Sequence, residues 1–300
     1  SLLHAEGDTK TYRNVLILSF FLNIILNPIF IFGFLFIPSF GVKGIAIATL
    51  IAQFISLAII LIKVFFNKRI KKITKEFFYI KFFYLKNIFF QSMPITIAIS
   101  GYSIAASIVF TYIGLFGENA VAGYGAATRI EQVVLLPILG INTAIISIIS
   151  QNYGAKLLDR VKQTYFISIK YGLTIMIISG VLVYFSSVIL PGFFSQDLEV
   201  TTYGTKYLKI SAFILPAYPI FFLSNGFFMA LKKSENAMIN NILRNVLVPV
   251  LVFYLAKYLS ADYDSFFWLW ALFQWSLSLL LLGAVIYFME YRLEKSRRII

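Results

Sequence analysis

Glu131 is a carboxylate placed inside a long apolar segment and away from its ends. A charge at the centre of a membrane helix costs about 2.5–3.5 kcal/mol on insertion scales, so such a residue is kept for pairing or for function. Glu131 is therefore the first candidate for binding a proton or another cation. Arg129 is two residues away and points to another face, so a neutralised pair needs a second helix or an arginine that reaches the membrane surface. Two interpretations of Glu131 stay open, a group that binds a proton or another cation and one member of a neutralised ion pair.

Amide and aromatic side chains form a second group of candidates for an ion or substrate pathway. Asn23 and Asn27 are four residues apart on one helical face, and Gln91 opens another apolar segment. Tyr218 and Asn225 are seven residues apart, again on one face. An amide in hydrocarbon must be paired, so these side chains either join helices or line a cavity. Aromatic and amide groups suit a broad pocket for organic cations, through cation–π contacts.

The sequence offers no support for enzyme chemistry. It contains no cysteine and one histidine, His4, which excludes thiol catalysis and a Ser/His/Asp constellation and makes a histidine metal site improbable. No phosphate-binding glycine motif indicates ATP as a fuel. We therefore expect no catalytic residues, no metal site and no cofactor.

Eight apolar segments must position these candidates. The chain is 60% hydrophobic and 13% charged, well below the ~25% charged residues of soluble proteins. Each segment reaches the ~18 residues needed to cross a bilayer. The prediction is an all-α polytopic membrane protein with about eight transmembrane helices. The predicted helices cover residues 12–37, 43–64, 88–116, 120–150, 163–190, 205–231, 236–259 and 265–291.

Basic residues fix the predicted orientation. Nineteen of the 26 Lys and Arg residues fall in five segments that alternate with the apolar ones, whereas the opposite loops carry mainly acidic residues. The positive-inside rule places both ends of the chain in the cytoplasm, in a plasma (cytoplasmic) membrane. The net charge of +13 then reflects topology and contact with membrane lipid, not nucleic-acid binding.

The long basic connection between the second and third helices predicts a division of the chain. We expect residues 1–66 to form the end of an N-terminal bundle, residues 67–87 a cytoplasmic linker, and residues 88–300 a C-terminal six-helix bundle. The chain does not begin with Met and opens in what looks like the end of a helix. We therefore expect a fragment that lacks N-terminal helices.

Several strings resemble the multidrug and toxic compound extrusion (MATE) family. "AEGDTKTYRN", "NIILNPIFIFG" and "GVKGIAIAT" are similar to its fourth-to-sixth helix region. Its seventh-to-eighth helix region is similar to "FGENAVAGYGAATRIEQVVLLPILGINTAIISIISQNYGAKLLDRV". The resemblance implies a twelve-helix fold of two bundles, of which this chain holds the fifth to twelfth helices. It also implies antiport of drugs or organic cations against protons or sodium.

The family's functional positions carry over only in part. Asn23 and Asn27 match an Asn and an Asp of the fifth helix, and Asn27 cannot titrate. A proton site there would need the carboxylate of the absent first helix. Another branch of the family binds sodium with acidic residues of the seventh and tenth helices. In this chain Tyr218 stands in place of the tenth-helix acid, and Gln91 is the nearest polar group in the seventh helix. Glu131 matches the "RIE" stretch of many members, where a structural role is possible.

Three functions follow as hypotheses. The first is a monomeric secondary active exporter of small organic cations that works by alternating access. The second is a lipid-linked oligosaccharide flippase of the same superfamily, which requires Arg129, Lys170 and Arg244 to converge on a cationic groove. The third is a membrane-embedded enzyme or a membrane scaffold without transport. It would need convergent catalytic groups, and the sequence shows none.

Overall fold

The computed structural model describes residues 9–34, 38–66 and 82–293, and within residues 83–99 only some side chains. The chain divides into two compact units, Ser1–Tyr84 and Leu85–Ile300. Residues 67–81, which form most of the predicted linker, lie outside the described residues. The assignment of the units to an N-terminal and a C-terminal bundle stays a prediction.

In the described part of the first unit, two helices, α1 (Thr9–Phe32) and α2 (Val42–Phe65), pack against each other. Gly44 allows the close approach, because a Cβ atom there would lie 2.3 Å from the backbone oxygen of Phe30. Small residues at such a crossing are typical of membrane helices, which associate through backbone packing.

Eight further α-helices follow in residues 82–293, the part of the second unit that the structure describes. They are α3 (Phe82–Ile113), α4 (Glu118–Gly154), α5 (Leu158–Ser186), α6 (Leu198–Ile214), α7 (Ala217–Ala230), α8 (Ser234–Ile242), α9 (Val248–Tyr258) and α10 (Tyr263–Tyr287). A π-helical turn, Leu243–Leu247, joins α8 to α9, and a second, Phe288–Leu293, follows α10.

The predicted membrane architecture is confirmed by these helices. Six of the described helical segments are long and apolar enough to cross a membrane, and the bent pair α6–α7 makes a seventh. In α3, the described residues contribute a shorter apolar helix, Ser100–Phe116. Many large apolar side chains stay exposed, such as Phe185 at 78%, as expected for a surface that faces lipid.

The predicted span 205–231 differs from the structure in two ways. Its first part begins earlier, at Leu198, because the Asp197 carboxylate accepts hydrogen bonds from the backbone of Glu199 and Val200 and caps the helix. It is also broken: α6 ends at Ile214 and α7 begins at Ala217, with a bend of 54° between them. Pro216, directly before α7, accounts for the break, since proline has no amide donor for the preceding turn.

Helix α4 lies at the centre of the second unit and packs against α5, α6 and α7. Gly123 brings α4 close to α6, because a Cβ atom there would lie 2.4 Å from the Val200 backbone oxygen. Gly180 likewise brings α5 close to α6, because a Cβ atom there would lie 2.7 Å from the Ala212 backbone oxygen. These contacts pack α6 closely against both α4 and α5.

Candidate functional site

Glu131 lies on α4 where three helices meet. Its side chain is buried, at 7% exposure. Oε1 accepts a hydrogen bond from the Tyr218 hydroxyl of α7 at 2.5 Å, and Oε2 accepts one from the Tyr207 hydroxyl of α6. Hydrogen bonds to an ionised acceptor are the stronger class, so this carboxylate joins the two halves of the bent span to α4.

Two local features of the sequence produce this geometry. The break after α6 turns the chain so that Tyr218, in the first turn of α7, faces back toward α4. Gly123, which precedes Glu131 on the same helix, lets α4 and α6 approach closely enough for Tyr207 to reach the carboxylate.

Arg244 lies in the π-helical turn and supplies a positive charge to the same region. Its Nε donates to Gln274 Oε1 at 2.8 Å, and its charge attracts the Glu131 carboxylate. The guanidinium carbon lies 4.3 Å from the centroid of the Phe221 ring and 4.8 Å from that of Tyr218. Stacking on aromatic faces and hydrogen bonding in the plane are what a buried guanidinium requires.

These side chains border a cavity of about 440 Å³ within the second unit. This volume falls in the usual range of small-molecule pockets, ~300–1,000 Å³. Among the described residues that line the cavity, Glu131 is the one carboxylate and Arg244 the one cation. The aromatic part of the lining consists of Tyr102, Tyr124, Tyr207, Tyr218, Phe222 and Trp270. The site can therefore hold an apolar aromatic molecule beside one negative and one positive group.

The basic residue that shares the cavity with Glu131 is Arg244, not Arg129, the basic residue nearest to Glu131 in the sequence. Arg129 is exposed, and so is Lys170 on α5. Neither lines the cavity, whereas Arg244 does. The three basic side chains that a flippase groove requires do not converge in the described cavity.

The remaining candidates lie elsewhere. Asn225 is buried and its Oδ1 accepts from Asn240 Nδ2 at 3.1 Å, so it joins α7 to α8. In the first unit, Asn23 Oδ1 accepts from Thr49 Oγ1 at 3.4 Å, and Asn27 Oδ1 is buried without a hydrogen-bond partner in the structure. Gln91 falls in α3, but its side chain lies outside the described residues. The pathway roles of all six candidates stay predictions.

The sequence alone does not assign two residues to this site. Nothing in the sequence distinguishes Tyr207 from the other 17 tyrosines. Arg244 enters the sequence-based hypotheses only as part of a flippase groove. The available signal was Gln274, a second polar group at membrane depth that faces it.

Comparison with known proteins adds independent findings. The family model MatE matches residues 93–255. The FAD transporter of Shewanella oneidensis is 25% identical over 212 residues, which cover 69% of this chain and 46% of that protein. The multidrug export protein MepA of Staphylococcus saprophyticus is 28% identical over 233 residues, which cover 77% of this chain and 50% of that protein. The chain thus spans about half the length of the curated relatives it matches.

Solved structures share the fold. A MOP superfamily transporter from Pyrococcus furiosus aligns with a TM-score of 0.86 at 22% identity, over 96% of this chain and 65% of that chain. A crystal structure of MATE in the straight conformation aligns with a TM-score of 0.87 at 22% identity, over 98% of this chain and 65% of that chain. Because the family model covers more than half of its residues, this chain belongs to the MatE family of membrane transporters.

Proposed function

We propose that the protein is a secondary active exporter that exchanges small organic cations for protons, with Glu131 as the group that both bind. The observation that carries the proposal is the pairing of one buried carboxylate with an aromatic cavity inside a membrane bundle. A proton neutralises Glu131, and an organic cation beside it is attracted only to the ionised form. Binding of one therefore opposes binding of the other, which is the coupling that antiport requires.

The hydrogen bonds of Glu131 supply a way to link protonation to helix movement. The ionised carboxylate accepts from Tyr207 on α6 and from Tyr218 on α7. A protonated carboxyl carries a donor hydrogen, so one of the two oxygens becomes a poorer acceptor. One tyrosine hydroxyl then accepts from the carboxyl or loses its bond, and the remaining bond is made to a neutral group and is weaker. Protonation therefore loosens the tie across the 54° bend. We propose that this bend opens and closes during alternating access.

The cellular setting is proposed on the same grounds. The protein would lie in the plasma membrane as a monomer, with both ends of this chain in the cytoplasm, as the distribution of basic residues predicts. No cofactor is proposed. A sodium ion remains the competing coupling ion, although it needs several oxygen ligands at once. Among the described residues, no group of three or more carboxylate, histidine or cysteine side chains is arranged to hold a metal ion.

Transport in proteoliposomes tests the proposal. Full-length protein is reconstituted, a pH gradient or a sodium gradient is imposed, and accumulation of a fluorescent organic cation is measured. FAD serves as a second probe, because one relative bears the name FAD transporter. The proposal predicts accumulation of the cation under the pH gradient, and at least about ten-fold less with Glu131→Gln, since Gln cannot take up the proton.

Glu235→Gln is the matched control, because Glu235 is an exposed carboxylate in the first turn of α8 and does not line the cavity. It should transport as the unaltered protein does. Full pH-driven accumulation by Glu131→Gln would exclude Glu131 as the coupling group. If the unaltered protein accumulates the cation under the sodium gradient but not under the pH gradient, the proton is excluded as the coupling ion.

A further inference from the structure

Part of the aromatic surface that would suit an organic cation is already occupied by the protein's own guanidinium. Arg244 lies over three rings of α7, with its guanidinium carbon 4.3 Å from the Phe221 centroid, 4.8 Å from Tyr218 and 5.3 Å from Phe222. All three distances fall within the ~6 Å range of cation–π attraction. Tyr218 and Phe222 also line the cavity, so a substrate cation that used their rings would have to replace Arg244.

The positive charge of the same guanidinium also offsets the negative charge of the Glu131 carboxylate. Glu131 attracts Arg244, and both of its oxygens already accept hydrogen bonds from tyrosine hydroxyls. In this state, a second cation would meet a shielded carboxylate and a like charge in a cavity of low dielectric constant. Like charges brought together in such a place repel strongly.

The attachment of Arg244 is suited to release. Its Nε donates to a neutral acceptor, Gln274 Oε1, and its side chain is half-buried. It also lies in the π-helical turn Leu243–Leu247. A π turn holds an additional residue, and its return to α-helical geometry rotates the residues on one side by ~100° about the axis. That rotation would carry Arg244 away from the rings.

We propose that Arg244 competes with the exported cation for the same binding surface. Without substrate, Arg244 stacks on the rings of α7 and is attracted by the Glu131 carboxylate, and the substrate binds by displacing it. This inference rests on the proposed function and adds a residue that sets substrate affinity. In the empty carrier Arg244 keeps the cavity close to neutral. After substrate release it takes back the same surface, which favours the return step.

Equilibrium binding to purified full-length protein tests this proposal. The probe is tetraphenylphosphonium, an aromatic organic cation, measured at alkaline pH so that proton competition is weak. Removal of the competitor in Arg244→Gln should tighten binding about ten-fold, which corresponds to about 1.4 kcal/mol. Arg244→Lys keeps the charge and should bind less tightly than Arg244→Gln. Gln274→Leu removes the anchor without removing the charge and should also tighten binding, by a smaller factor.

Two further measurements complete the design. Lys170→Gln, on the exposed face of α5, removes one positive charge outside the cavity and should leave the affinity unchanged. An anionic aromatic probe, 2-naphthoate, is titrated into the unaltered protein and Arg244→Gln. The proposal predicts that neither binds it in the cavity.

The results separate the two proposals. Unchanged or weaker binding of tetraphenylphosphonium by Arg244→Gln and Gln274→Leu, with normal binding by the unaltered protein, overturns the competitor role alone. Binding of 2-naphthoate that is lost in Arg244→Gln would identify Arg244 as an anion site and also overturns it. If the unaltered protein does not bind tetraphenylphosphonium at all, the organic-cation function fails.

Discussion

Gly123 gives a direct test of how the site is assembled. A Cβ atom at this position would lie 2.4 Å from the Val200 oxygen and 2.9 Å from both Gly204 N and Tyr203 Cβ. Two of these three atoms belong to the backbone of α6, so no side-chain rotation can relieve the contact. Ordinary contact begins near 3.4 Å, and we therefore expect Gly123→Ala to push α4 and α6 apart by about 1 Å.

The displacement should reach Glu131. This residue follows Gly123 by eight positions, which is ~12 Å along the helix axis. A hydrogen bond lengthened by about 1 Å falls outside the normal range, so the contact between Tyr207 and Glu131 should weaken or break. Overpacking of this kind costs typically about 1–3 kcal/mol. We expect a loss of that size in the free energy of unfolding, together with weaker binding of the cation probe.

Gly125→Ala is the matched control on the same helix. A Cβ atom at Gly125 meets nothing within 4 Å, so this substitution should be neutral or stabilise the helix by up to about 1 kcal/mol. Unfolding in an SDS titration, followed by circular dichroism, compares the two variants. Equal stability of Gly123→Ala and Gly125→Ala would refute the close α4–α6 contact and the role of that contact in positioning Glu131.

Three other substitutions test separate parts of the fold. Hydrogen bonding to Ser265 holds the pKa of the exposed Asp262 carboxyl below its usual value, so Asp262→Ala should cost about 0.5–1 kcal/mol at neutral pH. This difference should begin to shrink near pH ~4 and vanish only below the lowered pKa of Asp262, as the carboxylate is protonated; a difference that does not shrink as the pH falls would contradict the cap. Ser224→Ala should cost about 1–2 kcal/mol, because the buried Tyr165 hydroxyl pairs with Ser224 at 2.8 Å; Tyr165→Phe should remove most of that cost, and an equal cost in both backgrounds would argue against the pair. Asn27→Leu should raise thermal stability in detergent or leave it unchanged, since Asn27 Oδ1 is buried without a partner in the structure; a clear loss would indicate that the amide is paired.

Much of the architecture follows from the sequence because hydrocarbon imposes strong constraints. Apolar runs of sufficient length must be helices, and a proline pair such as Pro216 and Pro219 inside one run is typical of a bend. The start at Leu198 does not follow from hydropathy, because the residues before position 205, which include two threonines, are less apolar than a membrane span. A capped helix continues through them, held by the Asp197 carboxylate.

The site was only partly predictable, for a different reason. Helical periodicity correctly separates Glu131 from Arg129, since residues two apart point to different faces. It does not say which other helix supplies a partner. Tyr207 and Arg244 reach the carboxylate region through packing between helices far apart in the chain, and the π-helical turn that holds Arg244 has no clear sequence signature.

Proton release on substrate binding is the most direct test of the central claim. Purified full-length protein in weakly buffered solution is mixed with tetraphenylphosphonium, and released protons are measured with a pH indicator over a series of starting pH values. If the cation and the proton compete for Glu131, the unaltered protein releases protons over the range in which Glu131 titrates, and Glu131→Gln binds the cation without release. Binding without proton release by the unaltered protein at every pH, or equal release by Glu131→Gln, would contradict the account.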